Sequence, residues 1–148
     1  VTETVLKMTF GQLEKQNVSM EGIVLKPNMI ISALNCPNQG SIEQVVEMTL
    51  KCLKNNVPES VTGIAFLSGG QSSDLATSHL NAMNAMDNNL PWNLTFSYGR
   101  ALQHPALMAW SGSDENKVKA QRILHHRSYC NGLASKGEYR TILETEFA

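Results

Sequence analysis

Neither sign of charge dominates this chain of 148 residues, because 12 basic side chains face 13 acidic ones and leave a formal charge of −1. This near balance gives no electrostatic reason to expect a nucleic acid or an anionic membrane as the partner. Long apolar runs are also lacking, and none approaches the roughly 20 residues that a membrane span needs. Residues 1–5 have neither a basic nor an apolar region, so we expect no signal peptide.

Cysteine is scarce, and the three residues present, Cys36, Cys52 and Cys130, are widely spaced and form no Cys-x-x-Cys pair. Such a pattern is typical of reduced thiols in a cytosolic protein. A hydrophobic content of 42% is near the globular average and argues against disorder. We therefore expect a soluble, cytoplasmic protein, with residues 1–148 in a single domain because the length fits one domain and not two.

What the sequence does contain is an alternation of helix-like and strand-like segments. The apolar spacing predicts helices over 2–16, 41–54, 72–86, 101–110 and 114–135, the second opened by a capping box at Ser41 and Gln44. Branched, near-continuous apolar runs predict strands over 21–31, 61–67 and 93–97. Strands of this kind are typical of parallel sheets covered on both faces. The sequence therefore predicts an α/β fold built from parallel βαβ units.

A lysine stands out in the first predicted strand. Lys26 is the one lysine that lies inside an apolar strand, and lysine is almost never fully buried without a reason. Burial disfavours the charged form and would give a free amine able to attack a carbonyl. A lysine whose ammonium reaches a carboxylate or the rim of the sheet is an equally good interpretation of the same pattern.

Glycine turns follow the second and third predicted strands. In parallel α/β folds the carboxyl ends of the strands carry the active site. Ser68 and Gly69 follow the second strand, and Ser97, Gly99 and Arg100 follow the third. Glycines let a ligand approach the main chain, the following helix N-terminus attracts anions, and a guanidinium can hold phosphate with two bonds. Two such turns in successive units favour a phosphate site over simple chain reversal.

The histidines do not predict a metal site. His125 and His126 are adjacent on a helix and diverge by about 100°, so they cannot share an ion. His79 and His104 lack ligand spacing, and we expect structural or surface roles for both. The sequence therefore predicts neither a metal nor another cofactor.

Taken together, the stretches 25–29, 66–72 and 96–102 resemble the class I (Schiff-base) fructose-bisphosphate aldolases. They stand in the family's order and at its spacing, and weaker matches extend the resemblance to about Tyr139. The resemblance implies that this chain supplies about the last three βα units and the C-terminal helix of a TIM barrel. A complete barrel takes about 250 residues, so we expect residues 1–148 to be the C-terminal portion of a single barrel domain, incomplete for catalysis alone.

The resemblance also implies a site and a reaction. Lys26 would be the Schiff-base nucleophile, and Ser68, Gly69, Ser97, Gly99 and Arg100 would hold a substrate phosphate. The iminium formed on Lys26 would allow fructose 1,6-bisphosphate to be cleaved to glyceraldehyde 3-phosphate and dihydroxyacetone phosphate, in glycolysis and gluconeogenesis, without a metal. Family members are usually tetramers. Many end in a functional tyrosine, whereas this sequence ends Glu146, Phe147, Ala148.

Other functions stay open at this point. One is a non-catalytic phosphate-binding or assembly module derived from the same fold, which would bind phosphate but form no covalent adduct. Another is a different Schiff-base enzyme acting on sugar phosphates, such as a transaldolase-like enzyme. The sequence does not rank fructose 1,6-bisphosphate against fructose 1-phosphate.

Overall fold

The computed structural model describes residues 1–86 and 89–145, so the tail at Glu146, Phe147 and Ala148 lies outside the described residues. Within them the α-helices are α1 (Thr2–Lys15), α2 (Ile42–Asn56), α3 (Ser73–Met86), α4 (Arg100–Trp110) and α5 (Lys117–Ala134). The strands are β1 (Val24–Leu25), β2 (Gly63–Phe66) and β3 (Asn93–Phe96), and short 3-10 turns span Met20–Gly22, Asp114–Asn116 and Thr141–Glu144. No helix in this part of the chain is long and apolar enough to cross a bilayer.

The three strands form one parallel sheet in the order β1-β2-β3. Leu25 is level with Ile64, which in turn is level with Leu94. Parallel strands in sequential order, joined by right-handed crossovers, carry their connecting helices on one face of the sheet. The predicted α/β class and its parallel βαβ units are confirmed.

The start of α2 shows how local sequence fixes an element. The Ser41 hydroxyl accepts a hydrogen bond from the Gln44 amide at 3.3 Å, and the Gln44 side chain accepts one from the Ser41 amide at 3.0 Å. This is the predicted capping box, and it satisfies two amides at the helix start that have no intrahelical partner. Val46, Thr49 and Leu53 then bury one face of the helix at 3–4-residue spacing.

The first predicted strand is wrong in length. Only Val24–Leu25 of the expected 21–31 pairs as a strand, because Met20–Gly22 forms a 3-10 turn and Pro27 has no N–H to donate to a ladder. The expectation that both faces of each strand are covered is also wrong for the described residues. Val24 is 62% exposed whereas Ile64 on β2 is fully buried, because the two side chains lie on opposite faces of the sheet and the face of Ile64 is the one that is covered.

The helices on the covered face are joined by a buried polar network as well as by apolar packing. Arg127 on α5 is 4% exposed and donates to the Ser73 carbonyl at 3.1 Å and to the Thr77 hydroxyl at 2.6 Å, both on α3. Thr77 donates in turn to Asn131 Oδ1 at 2.8 Å. Helices α3 and α5 are therefore held in register by directional bonds, which apolar contacts alone do not supply.

The turn after α5 gives a stability prediction. Gly137 has a φ of +73°, and a Cβ there would lie 3.0 Å from the Ala85 amide nitrogen and 3.1 Å from its Cα. Gly112 has a nearly equal φ of +75° but open space around it. We expect Gly112→Ala to lower the free energy of unfolding by about 1–2 kcal/mol for the left-handed backbone alone. Gly137→Ala should cost about 1–3 kcal/mol more, because backbone must move.

Chemical denaturation of the two variants beside the unsubstituted chain measures this difference. Equal losses at both positions would show that Ala85 yields without cost and that the close approach of this turn to α3 is not a constraint.

Candidate functional site

The predicted site residues lie along one edge of the sheet. Lys26 directly follows β1, Ser68 lies two residues beyond β2, and Ser97 directly follows β3. Backbone bonds continue the pairing past the strands, from the Leu67 amide to the Pro27 carbonyl at 3.0 Å and from the Ser97 amide to the Phe66 carbonyl at 2.8 Å. Since the strands are parallel and in register, their carboxyl ends bring these residues to the same edge.

The prediction that Lys26 is buried is wrong. Lys26 is exposed, because β1 has a sheet neighbour on one side only and no described residue covers its other side. No carboxylate among the described residues forms an ion pair with it. The flanking Pro27 and Met29 are both buried, so the segment is anchored while the lysine faces solvent. The structure thus offers an accessible amine on a fixed backbone.

The turn after β2 is shaped by glycines. Gly69 and Gly70 have φ values of +57° and +85°, which side chains with a Cβ rarely adopt. Ser68 is 5% exposed, and its carbonyl accepts from the Gln71 amide at 3.1 Å and from the Gln71 side chain at 2.8 Å. Both glycines are exposed, so a ligand can reach the main chain at this turn.

A pair of residues that the sequence analysis did not assign to the site supports this turn. Gln71 Oε1 lies 2.6 Å from Nδ1 of His79, which is 2% exposed. Because an amide oxygen only accepts hydrogen bonds, Nδ1 carries the proton and donates. The side-chain Nε2 of Gln71 also lies 3.6 Å from Met29 Sδ. Gln71 therefore ties the glycine turn to α3 and to the segment that follows Lys26. The two residues are eight positions apart across a helix start, a spacing that carries no sequence signal.

The turn after β3 combines an exposed backbone with a cation. Ser97, Gly99 and Arg100 are exposed, and Gly99 is the N-cap of α4 without a side-chain cap. The first amides of α4 thus lack side-chain acceptors at the positive end of the helix, beside the Arg100 guanidinium. The intervening Tyr98 is buried, and its hydroxyl donates to the Ala76 carbonyl at 2.9 Å. This bond fixes the turn to α3.

The start of α3 is different. The Ser72 hydroxyl accepts from the Leu75 amide at 3.3 Å and so occupies one of the free donors there. The turn before α4 therefore has more uncapped amides to offer an anion than the turn before α3. An accessible amine and two turns able to bind anions along one sheet edge can hold a phosphorylated carbonyl compound and attack its carbonyl carbon. The roles of the six predicted residues remain predictions.

Comparison with known proteins identifies relatives over the whole chain. The family model for class I fructose-bisphosphate aldolase, under the heading Glycolytic, matches residues 1–148. A probable fructose-bisphosphate aldolase class 1 of Xanthomonas campestris is 49% identical over 141 residues, which cover 95% of this chain and 42% of the relative. Fructose-bisphosphate aldolase B of Sparus aurata is 49% identical over 139 residues, covering 94% of this chain and 38% of the relative.

A solved structure agrees with these sequence matches. Fructose-bisphosphate aldolase of Plasmodium falciparum superposes with a TM-score of 0.90 at 42% identity, covering 94% of this chain and 40% of that one. The described strands and helices therefore correspond to part of the aldolase barrel. The chain spans about two fifths of the length of the relatives that it matches.

The burial of His79 predicts a pH dependence of stability. Desolvation lowers the pKa of His79 from its usual 6.5, so the folded chain favours the neutral ring that donates through Nδ1. As the pH falls below about 6.5, the unfolded chain takes up a proton here that the folded chain refuses. The free energy of unfolding should then fall by up to about 1.4 kcal/mol per pH unit until the lowered pKa is reached.

Chemical denaturation at several values between about pH 7.5 and pH 5.5 measures how the free energy of unfolding changes with pH, and this slope checks the prediction. His79→Asn should flatten the slope, and His104→Asn, at an exposed position on α4, should leave it unchanged. Identical slopes in the two variants would contradict the assignment.

Proposed function

The chain belongs to the class I fructose-bisphosphate aldolase family, and on this premise we propose that it is part of an enzyme that reversibly cleaves fructose 1,6-bisphosphate. The products are dihydroxyacetone phosphate and glyceraldehyde 3-phosphate. Residues 1–148 form the C-terminal portion of a single barrel domain, with about its last three βα units and the C-terminal helix. The observation that carries the proposal is the accessible amine of Lys26 at the same sheet edge as two turns able to bind phosphate.

Lys26 is the nucleophile in this proposal. Its free amine adds to the C2 carbonyl of the substrate, and loss of water leaves an iminium. The C3–C4 bond then breaks, its electron pair moves into the iminium, and glyceraldehyde 3-phosphate leaves once the C4 hydroxyl has lost its proton. Protonation of the resulting enamine and addition of water release dihydroxyacetone phosphate and restore the amine.

The two glycine turns hold a substrate phosphate. Backbone amides near Ser68 and Gly69, and those at the start of α4 beyond Gly99, point donors at the anion. The Ser97 hydroxyl adds a donor, and the Arg100 guanidinium supplies charge and two parallel bonds. Positioning by this phosphate brings the carbonyl carbon to the amine, and such positioning is a large part of what an enzyme contributes to a reaction between two groups.

The location, partners and oligomeric state of the enzyme are inferred from the same family membership. We infer a cytoplasmic enzyme that acts on phosphorylated sugars and is a homo-tetramer when complete. The near-neutral charge of the chain supports the inference that nucleic acid and membranes are not its partners. The remaining strands of the barrel would cover the exposed side of β1 and supply the groups that move protons around the Schiff base.

Borohydride trapping with dihydroxyacetone phosphate tests the nucleophile. The chain is studied alone and mixed with the part of the Xanthomonas campestris relative that it does not match. Peptide mass mapping should find a reduced adduct on Lys26 in the mixture, because borohydride converts the iminium into a stable secondary amine. Lys26→Arg should abolish the adduct, whereas Lys51→Arg, at an exposed position on α2, should retain it.

The remaining outcomes are equally informative. An adduct in the mixture but not in the chain alone would show that the added strands complete the site. An adduct on another lysine of this chain would overturn the role of Lys26. The absence of an adduct in both preparations would overturn the proposed enzyme and favour a non-catalytic phosphate-binding module.

The role of Arg100 is tested by affinity. Arg100→Ala should weaken binding of dihydroxyacetone phosphate by about 1.5–3 kcal/mol, roughly 10- to 150-fold, because a charged hydrogen bond is lost. Arg100→Lys should recover only part of this loss, since an ammonium lacks the planar fork. Arg122→Ala, on the exposed side of α5, is the matched control for charge. Calorimetric titration that finds Arg100→Ala and Arg122→Ala alike would make Arg100 structural.

A further inference from the structure

Three side chains with metal-binding chemistry meet between α5 and the turn that follows it. His126 and Cys130 lie one turn apart on α5, and Glu144 reaches them from the 3-10 turn Thr141–Glu144. One ligand atom from each residue lies within 4.8 Å of the other two. We call these three residues the α5 cluster. The proposed aldolase reaction uses none of them.

The distances in the α5 cluster fit a metal ion. Zinc binds imidazole nitrogen and carboxylate oxygen at about 2.0–2.2 Å and thiolate sulfur at about 2.3 Å, which places neighbouring ligand atoms of a tetrahedron about 3.3–3.7 Å apart. His126 Nε2 lies 3.5 Å from Cys130 Sγ and 3.4 Å from Glu144 Oε2. Cys130 Sγ also lies 4.0 Å from His126 Nδ1, so it stands to one side of the Nε2 lone pair, and the ring must turn before one ion can bind both atoms. Nitrogen, sulfur and oxygen are the donors that zinc takes in proteins.

Glu144 is held in place by further hydrogen bonds. The Tyr139 hydroxyl donates to Glu144 Oε1 at 2.8 Å, and the Arg127 guanidinium donates to both carboxylate oxygens. Burial alone would raise the pKa of Glu144, but the bonds from Arg127 and Tyr139 outweigh it and lower the pKa. The carboxylate is thus charged and oriented. Hydrogen-bonded partners of this kind behind a ligating carboxylate are a regular feature of protein metal sites.

The α5 cluster is only partly buried, so an ion can reach it from solvent. Cys130 is fully buried, whereas the side chains of His126 and Glu144 are 11% and 26% exposed. An ion can therefore approach from the side of the histidine and the carboxylate. Water can fill a fourth position on the same side.

We propose that His126, Cys130 and Glu144 form a zinc-binding site that fastens the turn Thr141–Glu144 to α5. Binding forms a sulfur–metal bond, and the Cys130 thiol proton leaves to solvent. The site is structural and independent of the aldolase reaction. The adjacent histidines in the sequence do not reveal it, because the partner of His126 is Cys130, one helical turn on, and not His125.

Titration of the full 148-residue chain with Co²⁺ tests the site, because thiolate ligation gives a strong near-ultraviolet charge-transfer band. We expect about one equivalent to bind and Zn²⁺ to displace it, because a soft thiolate ligand selects zinc. Cys130→Ser should abolish the band. His126→Gln, at a partly exposed position that should fold without difficulty, should weaken Co²⁺ binding by more than about tenfold.

Matched controls come from the same chain. Cys52→Ser replaces another buried cysteine, and His125→Gln replaces the neighbouring histidine on another face of α5, and both should bind Co²⁺ like the unsubstituted chain. Binding should weaken as the pH falls, because protons compete with the metal for the sulfur. The absence of a band, or equal loss of binding in a variant and its control, would overturn the proposal.

Discussion

The buried guanidinium of Arg127 is the interaction on which much of this structure depends. It donates hydrogen bonds to three groups, namely the Ser73 carbonyl and the Thr77 hydroxyl on α3 and the Glu144 carboxylate after α5. Breaking a buried charge pair by removing one partner costs about 3–5 kcal/mol, a large part of the stability of a small domain. Ser73 is the first residue of α3, two residues beyond Gln71. Arg127 therefore fixes the start of the helix that carries His79, and through it the position of the glycine turn.

The candidate site is built mainly from backbone, and this explains its form. Parallel register delivers the three carboxyl ends to one edge, and the turns then expose amides through Gly69, Gly70 and Gly99. Tyr98 and His79 hold these turns from behind through Ala76 and Gln71 without facing a ligand. Lys26 differs from these supported turns. Its strand lies at one side of the sheet, and the side chain is exposed to solvent. A chain that spans two fifths of the length of its relatives would leave a residue of this strand in this state.

The sequence predicted those features that depend on neighbours along the chain. The capping box at Ser41, the apolar stripe through Val46 and Leu53, and the parallel βαβ order all follow from local spacing. The length of β1 and the exposure of Lys26 did not. The 3-10 turn Met20–Gly22 and Pro27 shorten the strand, and the exposure of Lys26 depends on which other parts of the molecule cover an edge strand. The Gln71–His79 bond and the α5 cluster also escaped prediction. Gln71 meets His79 across a helix start, and Glu144 reaches α5 only after the chain has turned at Gly137. Contacts of this kind have no period in the sequence.

The α5 cluster and the glycine turn are joined by a continuous set of bonds. Glu144 binds Arg127, Arg127 binds the Ser73 carbonyl at the start of α3, and Gln71 just before that start holds the carbonyl of Ser68. Transmission of a signal would require an element with two arrangements that both sites bias. Arg127 is instead held by two partners on α3, and Gln71 is held by His79 on the same helix. An ion at the cluster would therefore act on the turn through stability, by making the support behind it harder to open, and would not act as a switch.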